Sequence, residues 1–516
     1  MNEFRKLSIL GKTFVIFILL QPFLDFYFFY VPPLSKIFPF AISTIIRIIF
    51  TAVLAFFYLR ERPDWKILRW ILIYFGVCIV YFAAHVLNAR HFSSYSPNNF
   101  NFSMFGEAFY LVRMLIPVFI IFMTMHVHLN FQAFSMIVQT LSWIVSGSIV
   151  FFNLVKLSLA SYGDGFITGN IFNWFTNGDP GSFYGFASKG FFYYANSISG
   201  VVLLLVPFVL YLNFTKPRWT NISLAVVQLL SCLILGTKTA VLGFLGLLFA
   251  SLIIFLFSYV IGKENNFQKS SLGLVFSLLI IAGLIIPFSP MSNRSLTNRV
   301  TITEKNSNKA ALLKQQKVLE RELEHKAHGK ITPLMRYIQA NYQNYSLNPE
   351  FVNGKYSYII DPVFWSEVMK APLKKRMDYR YLEKAMLDRL KKINNNPLDN
   401  WLGITYTRMN NIFNLERDFL SQWYALGFIG AMIILGPMLW LFFNFIYLMI
   451  FKFKKYFNFL NAEMTLSIFG IIVFSIYAGN ILDFLTSAVL LAFFVGQTKS
   501  FFNHTENKNI HWLERD

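Results

Sequence analysis

Charge is scarce in this 516-residue chain: Asp, Glu, Lys and Arg make up 14% of it, against the roughly 25% usual in soluble domains. With 55% hydrophobic residues, 60 Phe and a mean hydropathy of +0.49, a water-soluble fold could not hide so much apolar surface, so lipid is its solvent. Cysteine is nearly absent. Cys78 and Cys232 both fall in apolar runs, which argues against a disulfide framework and a cysteine metal site. Acidic residues are outnumbered by basic ones, 26 to 46, for a formal net charge of +20. Nucleic-acid binding would concentrate that excess in a soluble domain with stacking aromatics. Here the basic residues largely punctuate apolar runs of roughly 20 residues, as orientation signals do. Anionic lipid or phosphate is the expected partner class, and nucleic acid is not. No small-residue cleavage site follows Arg5, Lys6 and Lys12, so the first apolar run reads as an uncleaved span. There is no repeat of fixed period and no metal-ligand signature, so neither a metal nor a cofactor is expected.

What the chain does have is apolar runs long enough to cross a bilayer. They lie near residues 11–30, 38–58, 67–87, 109–126, 132–156, 191–212, 219–236, 239–261, 271–289, 421–449, 464–481 and 484–500. The expected fold is all-α and polytopic, with about twelve transmembrane helices. Arg60, Arg62 and Lys66, then Lys216 and Arg218, Lys263 and Lys269, and Lys452, Lys454 and Lys455 fall in alternate short loops. The opposite loops carry only Lys36, Arg90 and Lys238. The positive-inside rule then puts the richer loops and both termini in the cytoplasm. The chain divides into a membrane bundle at 1–289 with spans 1–9, a large extracytoplasmic and partly helical loop at 290–420, a second bundle at 421–500 with spans 10–12, and a cytoplasmic tail at 501–516. The many Lys and Arg of the large loop are no obstacle, because long segments translocate largely regardless of charge.

Within that loop, AALLKQQKVLERELEHKAHGK and RMDYRYLEKAMLDRLKKI mix charged and apolar residues at helical spacing, and NNNPLDNWLG breaks the texture as a turn would. A second external segment, SYGDGFITGNIFNWFTNGDPGSFYGFASKG, is rich in glycine and aromatics. It suits tight turns with rings at the membrane interface, or a sugar-stacking surface; anchoring is the simpler reading.

Ionisable residues inside apolar spans are costly, so their positions are informative. Asp25, His85, Glu107, Arg113, Lys189, Lys238 and Asp483 all fall near the outer ends of spans. Arg47 alone falls near mid-membrane, where a carbonyl or acid of the bundle is its expected partner. Snorkelling to headgroups accounts for any one of the basic residues. Together they suggest a shared anionic site, since a pyrophosphate needs several fixed cations at the lipid–water boundary. Lys238, in GTKTAVLG, is pinned in a tight turn between two spans. At the re-entry of the large loop, ERDFL brings Glu416, Arg417 and Asp418 to the membrane edge. Acids there are stabilised by the helix macrodipole; alternatively, one carboxylate takes a proton from an attacking sugar hydroxyl. The acids and histidines of ERELEHKAH are better explained by a solvated charged helix, and His126 and His128 fall at the cytoplasmic edge.

QPFLD, EAFYLVRMLIPV, SKGFFYYANSISGVVLLLVP, GTKTAVLG and ERDFLSQWYALGFIG, in this order and with the long loop before the last, resemble the O-antigen ligase and polymerase superfamily in its Gram-positive branch. The resemblance covers nearly the whole chain. It implies transfer of a glycan from an undecaprenyl-diphosphate carrier to an acceptor sugar on the outer face of the cytoplasmic membrane. Capsule, exopolysaccharide or wall-glycan synthesis is the implied setting, with no nucleotide sugar, metal or cofactor consumed. The partners implied are the lipid-linked donor, the glycan acceptor, the bilayer and other polysaccharide-assembly proteins. Family basic residues hold the diphosphate, a role that falls on Lys189 and Lys238, then on Arg113, and on Arg299 or Arg294 early in the long loop. Gram-negative ligases place a catalytic histidine where this chain has Glu416; Glu416 and Asp418 instead fit the acidic E-x-D pattern of the Gram-positive branch and are the candidate bases. A flippase of lipid-linked oligosaccharide is the alternative from another class. Transporter sites lie near the bilayer midplane, whereas the polar residues here collect at one edge, which favours the enzyme.

Overall fold

The computed structural model describes residues 2–31, 41–61, 65–90, 92–95, 100–163, 165–176, 183–262, 269–307, 309–324, 332–410 and 415–506. Lys36, Arg62, Lys263, His325, His328, the tail from 507 and the side chains of Lys269 and Arg299 lie outside them. Among the described residues there are helices and isolated β-bridges but no strand, in keeping with the all-α expectation. Apolar runs become helices because in lipid a segment must satisfy its own backbone N–H and C=O groups.

The helices used below are α1 (Ile9–Leu20), α2 (Ile42–Arg60), α3 (Trp65–Ala89), α4 (Met104–Val127), α5 (Phe131–Leu154), α6 (Ala195–Thr215), α7 (Trp219–Leu235), α8 (Lys238–Val260) and α9 (Lys269–Ile285). They continue with α10 (Pro290–Ser307), α11 (Lys309–Glu324), α12 (Pro333–Asn341), α13 (Pro362–Lys370), α14 (Tyr379–Asn394), α15 (Asp418–Phe451), α16 (Phe459–Tyr477) and α17 (Leu485–Glu506). Among the described residues ten helices are long and apolar enough to cross a bilayer, against about twelve expected. Two runs come out shorter. The run at 11–30 yields only the 12 residues of α1, since Pro22 has no N–H to extend the ladder and the chain passes into tighter turns at Phe23–Asp25 and Tyr27–Phe29. The run at 219–236 yields the 17 residues of α7, ended by Gly236 in the left-handed region.

By its contacts the chain forms two compact units, one of Met1–Arg69, Val112–Ser295 and Ile434–Asp516, the other of Trp70–Leu111 and Leu296–Ile433. In the first, α6 and α17 are central: 89% and 94% of their spanning windows are buried, against 28% for α2. α6 packs on α7, α8 and α16. Lipid tails are as apolar as leucine, so close packing and hydrogen bonds hold these helices together. Gly243 lets α8 approach Leu203 and Phe474, and Gly470 meets Leu247. Ser251 Oγ donates to Glu463 Oε2 at 2.7 Å, joining α8 to α16, and Gln228 Nε2 donates to Ser142 Oγ at 3.2 Å, joining α7 to α5. Bonds of this kind contribute about 0.6 kcal/mol each. The fully buried Arg47 donates to Gln21 Oε1 at 2.8 Å and Thr486 Oγ1 at 2.6 Å, so its bundle partners are a side-chain carbonyl and a hydroxyl.

In the second unit the polar block folds around its own apolar centre, with Ile338, Tyr356, Trp365, Leu382 and Met386 all buried. Asp361 caps α13 through Phe364 N at 3.0 Å and also accepts from Tyr356 Oη at 2.6 Å and Arg389 Nε at 2.8 Å. The two segments with helical spacing form α11 and α14. The Asn-rich stretch ends α14 by putting Asn395 in the left-handed region, φ 48°.

The decisive feature of this unit is a break in α15 at Gly427, φ 68° and ψ 179°. Gly403 adopts nearly the same conformation, φ 82° and ψ 166°, which is essentially restricted to glycine. The two backbones cross in contact: a Cβ at Gly427 would collide with Trp401 and Leu402, and one at Gly403 with Ala425. The break opens the carbonyls of Tyr424, Ala425 and Leu426. They accept from Ile404 N at 2.9 Å, Thr405 N at 3.1 Å and Tyr81 Oη at 2.6 Å, so these three carbonyls keep partners. Gly427→Ala is therefore expected to cost more than the roughly 1–3 kcal/mol of backbone strain alone, because the collision is with main chain. Thermal unfolding of the detergent-purified protein checks this against Gly436→Ala, where a Cβ meets nothing within 4 Å and little change is expected.

Candidate functional site

In the first unit, Lys189 lies in the segment joining α5 to α6 and is 6% exposed. That segment doubles back through Leu159 N to Gly190 O at 2.8 Å, Lys189 N to Leu159 O at 3.0 Å and Ser161 N to Ala187 O at 2.8 Å. It is fastened to the α7–α8 turn by Ser188 N donating to Ile234 O at 2.9 Å and Tyr162 Oη donating to Gly236 O at 2.9 Å. A Cβ on Gly236 would stand 2.9 Å from the Ala187 Cβ and 3.1 Å from the Pro290 Cβ; a residue without a side chain lets the three segments meet. Lys238 is exposed and is the first residue of α8, just after Thr237, whose hydroxyl caps the helix through Ala240 N at 3.0 Å. Arg294, near the start of α10, sets its guanidinium 4.4 Å over the Tyr162 ring. Lys189, Lys238 and Arg294 are thus carried by segments packed around Gly236. A cation at a helix N-terminus is opposed by the macrodipole, and an anion placed there relieves both.

Arg113 belongs to the same unit, and its Nη2 donates to the Asp483 backbone carbonyl. Its charge acts, with that of Arg47, on the fully buried Asp25. Asp25 Oδ1 accepts from Tyr30 Oη at 3.3 Å. This buried cluster is joined to the Lys189 segment by Tyr193 N donating to Asp25 O at 2.9 Å and Tyr27 N donating to Phe191 O at 2.8 Å. The side chain of Arg299 lies outside the described residues.

Glu416 and Asp418 belong to the second unit. Asp418 opens α15 and is fully buried, where the macrodipole favours an acid. Glu416 has a side chain 40% exposed, held by Arg380 of α14, whose Nε and Nη2 donate to Oε2 at 3.1 and 3.0 Å. The Glu416 N–H donates to Glu383 Oε2 at 3.3 Å. Arg380 and Glu383 stand three residues apart, hence on one face of α14. Sequence reasoning missed both, because their spacing matches that of any solvated charged helix. Tyr162, which organises Gly236 and Arg294, was also missed; its only signal was its place in a glycine- and aromatic-rich segment.

His85 and Glu107, which looked like separate costly residues in the sequence, form a buried pair with His85 Nε2 3.0 Å from Glu107 Oε1. The Glu107 carboxylate also accepts from Tyr406 N at 2.9 Å and Thr407 N at 3.1 Å, and His85 Nδ1 bonds the Leu402 carbonyl. Asn88 Nδ2 donates to Asp399 Oδ1 at 3.1 Å, and Arg408 Nη2 to Ala89 O at 2.6 Å. These bonds tie residues 399–408 to α3 and the start of α4. Burial pushes the Asp399 carboxyl up and pulls the Arg408 guanidinium down to about 10, against the charges of Glu107 and Asp399.

Among the described residues no group of three or more His, Cys, Asp or Glu is placed to hold a metal ion. Apolar helices of spanning length, with no strand among the described residues, define an all-α polytopic integral membrane protein. The chain belongs to the family described as O-antigen ligase like membrane protein, whose model matches residues 9–498. A comparison with curated proteins gives no match. Membership supports membrane glycan ligase or polymerase activity of the glycosyltransferase type, between a lipid-linked glycan donor and an acceptor.

Removing the Glu107 carboxylate would strand His85 and two backbone N–H groups in a buried setting. Glu107→Ala is expected to cost about 3–5 kcal/mol locally and to open the 399–408 segment to limited proteolysis. Wild-type protease resistance and melting temperature would show that the pair holds nothing.

Proposed function

We propose that this protein transfers a glycan from an undecaprenyl-diphosphate carrier to a hydroxyl of an acceptor sugar at the outer face of the cytoplasmic membrane, in the synthesis of a surface polysaccharide. Termini in the cytoplasm and an extracytoplasmic 290–420 block complete the reading, as the short-loop charges require. The observation that supports it most directly is the packing of the Lys189 segment, the α7–α8 turn and the start of α10 around Gly236. A diphosphate leaving group carries two to three negative charges. Lys189, Lys238 and Arg294 supply fixed cations, and the first amides of α8 add their dipoles. Because these charges are set before the reaction, they stabilise the leaving group as its charge develops.

The acceptor hydroxyl attacks the anomeric carbon, the bond from that carbon to the diphosphate oxygen breaks, and a carboxylate takes the hydroxyl proton. Glu416 is the favoured base, because its side chain is 40% exposed and therefore reachable. Asp418, buried at the start of α15, orders the helix and holds its N-terminal dipole. Arg380 keeps Glu416 in one orientation with paired bonds to a single oxygen. Arg113, engaged with Asp483 and Asp25, contributes to the diphosphate field at longer range, and Arg299 remains a further candidate cation.

Lys238→Ala at normal expression is expected to lower polymer or ligation product by at least about tenfold, the loss of one charge-assisted contact to the leaving group. Full product length and yield from that variant would remove the diphosphate role. Glu416→Gln is expected to lower turnover by about 10²–10⁴-fold, the usual contribution of a general base, and Asp418→Asn by less. Wild-type activity in both would leave no carboxylate base at this position.

A further inference from the structure

Tyr162 touches two of the segments packed around Gly236. Ala160 N donates to Gly165 O at 2.8 Å, closing a turn that presents Tyr162, and Ser161 N donates to Ala187 O at 2.8 Å. From that turn the Tyr162 hydroxyl donates to Gly236 O at 2.9 Å, which ties the ring to backbone two residues ahead of Lys238. The Arg294 guanidinium lies 4.4 Å over the same ring. The start of α10 has fastenings of its own. Ser292 Oγ donates to Ile286 O at 2.7 Å, the Phe288 ring lies 5.1 Å from that of Phe175, and Pro290 stands beside Gly236. The ring contact therefore orders the Arg294 side chain more than the helix that carries it.

A guanidinium carries its N–H donors in one plane, pointing outward from the edge. A ring under one face attracts the charge and takes nothing from that edge. Among the described residues Arg294 makes no hydrogen bond and no ion pair, its ring contact apart. A long arginine side chain left to itself samples many rotamers, and ordering it on a ligand costs binding energy. Over Tyr162 that freedom is reduced beforehand, and the edge that matches two phosphate oxygens stays open. We propose that Tyr162 is a positioning residue for the diphosphate: its hydroxyl sets the ring on the turn that carries Lys238, and its ring holds Arg294 ready for a two-pronged contact with one phosphate. The inference rests on the reading of this site as the diphosphate site and adds the side chain that orders one of its cations. A neutral ring does so without cancelling positive charge, which a carboxylate partner would do.

Calorimetric titration of inorganic pyrophosphate into the purified full-length protein in lipid nanodiscs, at fixed low salt, tests this. Arg294→Ala is expected to weaken wild-type binding by roughly ten- to a hundredfold, the range of a charge-assisted contact. Tyr162→Phe keeps the ring and Tyr162→Leu removes it. The second should bind about three- to tenfold more weakly than the first, the range of a cation–ring contact. On an Arg294→Ala background that difference should shrink below about twofold, because the ring has nothing left to hold. A ring with only a structural role would weaken both backgrounds alike, and that result would overturn the inference. Where Tyr162→Leu fails to fold, Arg294→Lys reads the same contact from the other side. It keeps the charge but not the flat fork, so several-fold weaker binding is expected, and wild-type affinity would overturn the inference. No pyrophosphate binding by the wild-type protein would instead overturn the diphosphate reading, and the positioning role with it.

Discussion

Everything in the second unit hangs on one crossing of two backbones. At Gly427 helix α15 stops, turns through a conformation only glycine tolerates, and resumes. At Gly403 the approaching chain takes a matching conformation, so close that neither position has room for a Cβ. Opened carbonyls in an apolar setting would be prohibitive without donors. The approaching chain supplies two from its own backbone, and Tyr81 supplies a third. This makes the break a joint: residues 403–405 and 424–427 hold one another, and the His85–Glu107 pair locks the same segment from α3 and α4. Glu416 and Asp418 lie between these anchored stretches in the chain, and Arg380 holds the Glu416 carboxylate directly.

The first unit solves a different problem, how to assemble like charges. Lysine and arginine repel one another, and a lysine at a helix N-terminus is opposed by the dipole as well. The molecule accepts this at Gly236 because uncharged contacts carry the cost. Main-chain bonds from Ser188, the Tyr162 hydroxyl and the close contacts with Ala187 and Pro290 fix the segments. Lys189, Lys238 and Arg294 ride on a frame held by these uncharged contacts, the kind of preorganisation that the proposed diphosphate site calls for. Deeper in the bundle, Arg47 and Glu463 are hydrogen-bonded to neutral side chains, Gln21 and Thr486 for the one and Ser251 for the other. Those groups serve helix packing, and the contrast separates structural polarity from the polarity assigned to diphosphate.

Much of this was legible in the residues. Low charge and long apolar runs require a polytopic helical protein because lipid offers the backbone no other partner. Lys238 stood out because a two-residue turn between apolar runs leaves its backbone little freedom. The segment ERDFLSQWYALGFIG stood out as the start of a long apolar run, and its first glycine proves to be the break. The span at 11–30 misled because hydropathy does not register that Pro22 ends a hydrogen-bond ladder. Arg380 and Glu383 were illegible for another reason: one buried face of an otherwise charged helix has the spacing of a solvated one, and only the partner segment distinguishes them.

The sequence by itself determined the solvent, the all-α class and the resemblance to the family, since each can be read from residue properties and motifs that a linear pattern preserves. The tertiary structure alone decided the company each costly residue keeps. Ser188 and Ile234, Glu107 and Tyr406, or Arg380 and Glu416 lie 36 to 299 positions apart. Their meeting depends on turns, on side-chain-free crossings and on which carbonyls a broken helix exposes. Those are properties of the packed chain, and no periodicity along the sequence records them.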